Sequence, residues 1–256
     1  MPAAFEFPHL SIYLVYGAAC VFGAAIVRGF SGFGFSLLVI TALSLALPPV
    51  EVIASVLMME IAASLHLLPG VWRDIHWRSL GFLTLGQLLA TPLGVWALAN
   101  IPAGPMKIAL ALFVLGTVAL LWFGFALRRM PGPAATTATG AASGLLNGAF
   151  GIGGPPVVLF FLSSPAAAAA GRASLIAYFF GTDVIALGWQ MQQHLVTTDH
   201  IVKAVLFLPA LVAGIWLGAR GFRNADPAQF RNAVLILLAV MALLTGVQGA
   251  AALGSP

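Results

Sequence analysis

The sequence predicts an all-α polytopic membrane protein of two inverted repeats, each with about five hydrophobic segments. Three observations carry that prediction. Of 256 residues, 61% are hydrophobic and only 7% charged, whereas a soluble domain carries roughly a quarter charged residues. A surface so poor in charge must face lipid. The apolar runs are continuous rather than alternating, which selects helices over barrel strands. The second half of the chain also repeats the landmarks of the first at a nearly constant offset.

The segments read as Leu10–Val27, Phe33–Leu47, Val52–Leu68, Leu80–Ala99 and Met106–Leu127 in the first half. After the turn "RRMPGPAA" come Ala135–Ala149, Pro155–Ala170, Ala173–Met191, Ile201–Ala219 and Phe230–Ala250. The halves are residues 1–130 and 131–256, one integral membrane domain with roughly 8–10 transmembrane segments. Gly29–Gly34 matches Gly148–Gly153 at an offset of 119, and "GVW" at Gly94–Trp96 matches "GIW" at Gly214–Trp216 at 120. Pro105 matches Pro227 at 122. Tandem halves of this kind are a common transporter plan.

Charge distribution sets the parity. If the first two segments of each half either both cross or turn back together, seven arginines share one side: Arg73, Arg78, Arg128, Arg129, Arg172, Arg220 and Arg223. Lys107 and Lys203 fall opposite. If the first two segments form one broken crossing, the split is five against four and decides nothing. The first arrangement obeys the positive-inside rule. It places the arginines in the cytoplasm and both termini outside, in a bacterial plasma membrane. Five units per half is odd, so the halves are inverted. Phe33–Leu47 and Ala135–Ala149 are short for a core of about 30 Å, and parity leaves open whether they cross or re-enter.

The net charge of +4 comes with a pI near 9.8. It reflects basic loops, and no basic run suits nucleic acid. Cys20 is the sole cysteine, a small packing residue. The opening "MPAAFEFPHL" lacks a basic region, so the first apolar stretch is expected to be retained as a span. HExxH, CxxC and P-loop patterns are absent from the sequence, so no cofactor or metal is expected.

The candidate site lies in two glycine-rich breaks, "RGFSGFGFSLL" at Arg28–Leu38 and "NGAFGIGGPPVV" at Asn147–Val158. Glycine lets a ligand approach the backbone, and a half-helix N-terminus presents free N–H groups to an anion. Interrupted segments at matching places in two halves point to a transporter's binding site. The substrate-binding candidates are Arg28, Gly29, Ser31, Gly32 and Gly34, with Asn147, Gly148, Gly151, Gly153, Gly154 and Pro155. The rival reading is close helix packing, which fits the rows Gly140, Gly144, Gly148 and Gly214, Gly218.

Arg28 has two readings: an oxyanion-binding fork deep in the protein, or a snorkelling residue at the end of the first span. Its counterpart is the neutral Asn147. Glu60 and Asp183 lie mid-segment and are proton-coupling candidates. They are equally readable as polar glue or as partners of Arg28. Glu60 plus 119 lands on Phe179, so the two carboxylates are out of register. Gln87, Thr91 and Thr182 are weaker path-lining candidates, and His66 reads as interfacial. "GFSG" at Gly29–Gly32 also matches the surroundings of a rhomboid-like protease serine, here Ser31. That chemistry needs a histidine on a neighbouring helix, whereas His66 and His194 lie near segment ends.

With the duplication and "NGAFGIGGPPVVLFFL" in view, the chain resembles the sulfite exporter TauE/SafE family along essentially its whole length. The family's glycine run followed by proline is present as Gly151, Gly153, Gly154, Pro155 and Pro156. The first motif departs from it, with Phe33 and Phe35 among the glycines and no following proline. The resemblance implies a secondary transporter of small anions, sulfite, sulfonates or related organosulfur compounds. Its partners would be that anion, the bilayer and a coupling ion, H+ or Na+, with a homodimer as the candidate assembly. A passive anion channel is the alternative, and the Ser31 protease a distant third.

Overall fold

The computed structural model describes residues 7–31, 33–123, 131–162, 168–221 and 227–254. These form ten α-helices and one 3-10 turn, with no strand among the described residues. The first half contains α1 (Phe7–Ser31), α2 (Phe35–Leu43), α3 (Val50–Val71), the 3-10 turn Trp72–Asp74, α4 (Trp77–Asn100) and α5 (Ala103–Trp122). The second contains α6 (Pro133–Phe150), α7 (Gly154–Leu162), α8 (Ala168–Gln192), α9 (Thr198–Gly221) and α10 (Pro227–Gly254). Six stretches among the described residues are long and apolar enough to cross a membrane: Val50–Asp74, Trp77–Asn100, Ala103–Trp122, Ala170–Gln192, Thr198–Arg220 and Leu235–Leu253. Their outer faces expose Leu89, Leu93, Trp96, Val212, Trp216 and Val247, as lipid contact requires. The protein is a polytopic membrane protein.

α2 and α7 have nine residues each, about 14 Å of helix, which is half the hydrocarbon thickness. The sequence assigns shortness to Ala135–Ala149; the structure extends that segment to the 18-residue α6 and shortens its successor instead. α2 is brief because the chain winds one more turn, with the Leu47 N–H on the Leu43 carbonyl at 2.9 Å, and then meets Pro48 and Pro49. Prolines have no N–H to continue the ladder.

Both short helices turn back. The Ser55 hydroxyl donates to the His200 carbonyl at 3.0 Å, so α3 and α9 begin at one end of the molecule. α1 runs parallel to α9, with Gly17 against Phe207 and Gly29 against Ile215 and Ala219. α1 therefore starts at that same end, and α2 returns the chain to it. Consistent with a hairpin, Gly34 lies by Val27, and the Tyr16 hydroxyl donates to the Ala42 carbonyl at 2.7 Å.

The second half does likewise from the opposite end. The His76 N–H donates to Ser174 Oγ at 2.9 Å, placing the starts of α4 and α8 together. α6 runs parallel to α4, with Gly140 at Leu83 and Gly148 at Thr91 and Val95. α7 then carries the chain back to α8. Arg73, Arg78, Arg172 and Arg220 lie at this second end, and Lys107 and Lys203 at the first.

Glycine contacts hold the long pairs. α4 and α6 meet through Gly86, Gly94, Gly140, Gly144 and Gly148, and α1 and α9 through Gly29, Gly214 and Gly218. At each of these a β-carbon would collide with the opposite helix. Close approach of this kind replaces the hydrophobic drive that lipid does not supply. Gly86→Ala is therefore expected to lower stability by about 1–3 kcal/mol, because its methyl would strike the Thr137 carbonyl. Gly81→Ala, which meets open space, is the control, and thermal unfolding in detergent compares the two.

Candidate functional site

Both glycine breaks deliver a helix N-terminus to one small cavity. At the first, Gly34 caps α2 with φ 93, a left-handed conformation that L side chains rarely adopt. At the second, Gly151 ends α6 with φ 65 and donates its N–H to the Asn147 carbonyl at 2.8 Å. α7 follows at Gly154, with Pro155 and Pro156 in its first turn, where a missing N–H costs nothing.

The cavity between these ends has a volume of about 40 Å³. Gly34 and Ser36 of α2 line it opposite Gly153, Gly154 and Pro155 of α7. Glu60, Asn147 and Asp183 supply polar wall, and Thr117 and Leu121 of α5 close one side. Phe33, Val158 and Phe179 make it partly apolar.

Two polar networks support the walls. In the first, the Arg28 guanidinium is 2% exposed, so it does not snorkel. Its Nη1 donates to Glu60 Oε2 in an ion pair, and its Nη2 donates to Ser64 Oγ at 2.9 Å. Glu60 Oε1 accepts the Ser36 N–H at 3.2 Å and the Ser36 hydroxyl at 2.7 Å. This carboxylate therefore caps α2, as an anion at a helix N-terminus should. In the second, Asn147 Nδ2 donates to the Thr182 carbonyl at 3.2 Å, to Thr182 Oγ1 at 3.3 Å and to Asp183 Oδ1 at 3.1 Å. Its Oδ1 accepts the Gly153 N–H at 3.1 Å. The Ser143 hydroxyl donates to the Gly153 carbonyl, so both backbone polar groups of that glycine are held.

Residues 17–245 match the sulfite exporter TauE/SafE family. The chain belongs to that family. A protein of Cupriavidus necator described as a probable sulfite/organosulfonate exporter TauE is 28% identical over 241 residues, covering 91% of each chain. No solved structure matches at a significant level.

In this TauE/SafE member the residues singled out from sequence divide into three groups. Gly34, Asn147, Gly151, Gly153, Gly154, Pro155, Glu60 and Asp183 line the cavity. Arg28 stands behind it, held by Glu60. Gly29 and Gly148 lie in helix interfaces, against Ile215 and Thr91. Ser31 ends α1, but its side chain lies outside the described residues, as does the whole of Gly32. Of the weaker candidates, Gln87, Thr91 and Thr182 are buried and His66 is exposed. Sequence reasoning missed Ser36, Ser64 and Thr117. Ser64 was findable, since it stands four residues after Glu60 and so shares its helix face.

Proposed function

We propose that the chain is a secondary transporter of small organosulfur anions, sulfite and sulfonates, working by alternating access between residues 1–130 and 131–256. The observation that carries this reading is the meeting of two half-helix N-termini, from α2 and α7, at one cavity. Each end directs the positive pole of its helix dipole toward an anion in the cavity. The name of the Cupriavidus necator relative supports the substrate class.

Inverted repeats are supported by the packing. α1 lies on α9 as α6 lies on α4, while α3 pairs with α8 and α5 with α10. Exchanging each helix for its counterpart in the other half leaves this pattern unchanged. Rocking the halves about the cavity would then expose it to either side in turn. The end bearing Arg73, Arg78, Arg172 and Arg220 is assigned to the cytoplasm of a bacterial plasma membrane by the positive-inside rule. That assignment puts Phe7 and Gly254 outside.

A carrier and an open channel differ in how flux responds to concentration. Flux of labelled sulfite into proteoliposomes is expected to saturate and to accelerate when unlabelled sulfite is present inside. Flux that stays linear with concentration and shows no counter-exchange would establish the channel instead. No flux of sulfite or of any small sulfonate would remove the transport reading.

A further inference from the structure

Among the described residues the cavity lacks a free cation to meet an anion, and the two carboxylates on its wall differ in how they are held. Glu60 is committed on both oxygens, to Arg28 on one and to Ser36 on the other. Asp183 is 3% exposed and receives one hydrogen bond among the described residues, from Asn147. No ion pair reaches it among those residues.

The local charges can be summed. Arg28 and Glu60 cancel. The N-termini of α2 and α7 each carry about half a positive charge, but the C-termini of α1 and α6 end beside them at the same breaks and carry about half a negative charge each. Ionised Asp183 is then the one uncompensated charge on the wall of the empty cavity among the described residues. An arriving anion sets a second negative charge beside it, and one positive charge must come with that anion.

Resting on the transport reading above, we infer that Asp183 is the co-ion site: it takes up one proton whenever an anion occupies the cavity and releases it when the cavity empties. A proton needs a single oxygen. A sodium ion needs several, and the neighbouring acceptors are engaged: Asn147 Oδ1 by Gly153, and Glu60 by Arg28 and Ser36. Glu60 is the structural carboxylate, committed to the Arg28 ion pair and to the cap of α2.

The charged and titratable surroundings of Asp183 are few. From α3 comes Glu60, with Arg28 of α1 behind it, and the fields of both reach Asp183. α8 itself adds Tyr178 and, near its start, Arg172, and the turn after α3 adds Arg73, Asp74 and His76 at that same far end by Ser174. α4 bears only Arg78, in its first turn, and α6 and α7 carry no charged residue.

The consequence is electroneutral symport of one proton with one singly charged anion. Direction then follows the combined gradients. An anion that accumulates inside a cell leaves with a proton until the two concentration ratios balance.

Methanesulfonate is the suitable probe, because a sulfonate stays singly charged across neutral pH whereas sulfite titrates there. In proteoliposomes holding the whole chain, an acid-outside gradient is expected to drive accumulation of about tenfold per pH unit, the ratio that one proton per anion gives. An imposed membrane potential or a sodium gradient should leave that ratio unchanged. Asp183→Asn, which fixes the neutral state, should exchange labelled for unlabelled methanesulfonate but accumulate none under the pH gradient. If that variant is not recovered folded, Asp183→Ser takes its place. Four results would each overturn the inference: accumulation driven by sodium, accumulation that follows potential, about a hundredfold ratio per pH unit, or a folded neutral variant that either cannot exchange or still couples to pH. Wild-type protein that moves no sulfonate or sulfite at all would instead remove the transport reading.

Discussion

Arg28→Ala is expected to be the most damaging single substitution in the protein. The guanidinium is buried and bonded to Glu60 and Ser64. Its loss leaves the Glu60 carboxylate in a low-dielectric interior without its counter-charge. Removing one member of a buried pair typically costs about 3–5 kcal/mol, a large share of the roughly 5–15 kcal/mol that holds a typical protein folded. Glu60→Gln should do comparable harm from the other side, by stranding the arginine. Arg28→Lys should fall between, because an ammonium cannot span two acceptors in the manner of a planar fork. The informative variant is the double one, Arg28→Met with Glu60→Gln. It removes both charges, and the amide oxygen it introduces on α3 would still accept from the Ser36 N–H. Recovery of most of the lost stability is expected, read as the unfolding temperature in detergent. The local charge sum is unchanged by that double replacement, so anion exchange should survive it. Exchange abolished in a stable double variant would return Arg28 to the role of substrate ligand.

The fold was legible in the chain because its strongest signals are collective. Ten apolar segments and the recurring offset each integrate over many residues, and the helices follow those segments, with α6 longer and α7 shorter than their predicted segments. The two breaks were legible for a local reason: glycine at Gly34 and Gly151 serves backbone angles that other residues resist. Side-chain partnership was only partly legible: Glu60 and Asp183 were both readable as partners of Arg28, and only the structure selects Glu60. Arg28 stands opposite Asn147 at an offset of 119, while Glu60 and Asp183 are 123 apart, so the carboxylates look unrelated in register. In space they occupy matching posts, Glu60 beside Arg28 and Asp183 beside Asn147. A four-residue slip between α3 and α8 is about one helical turn and keeps the same face toward the cavity. The depth of Arg28 was likewise hidden, because a hairpin tip and an interfacial helix end have the same local sequence. Gly29 and Gly148 show the converse limit. They belong to the motifs by sequence, yet the structure uses them for helix contact, and both uses ask for the same absent side chain.

Asn147→Ala is expected to loosen the second break and weaken transport while leaving the long helices in place. Asn147 is 1% exposed and joins three elements: the end of α6, the Gly153 N–H before α7, and Thr182 and Asp183 on α8. Truncation leaves the buried Gly153 N–H without its acceptor, at a cost of about 1–3 kcal/mol. Hydrogen exchange at residues 151–154 should speed up, while exchange in α4 and α9 stays slow. Asp183 would also lose its hydrogen bond and, with it, the contact that favours its ionised form. On the charge sum above, that change acts on the empty carrier, which must shed its proton to return. The variant should therefore lose net uptake more than it loses exchange, since exchange never visits the empty state. Asn147→Asp separates the two effects. It keeps an acceptor for Gly153 and sets a second carboxyl against Asp183, and two such groups share a proton. The pair would hold one proton empty and two loaded, so one is still carried per cycle. Accumulation per pH unit should match the unmodified protein, with the working range displaced. If Asn147→Ala slowed exchange and net uptake equally, Asn147 would be a packing residue of the break with no part in proton release.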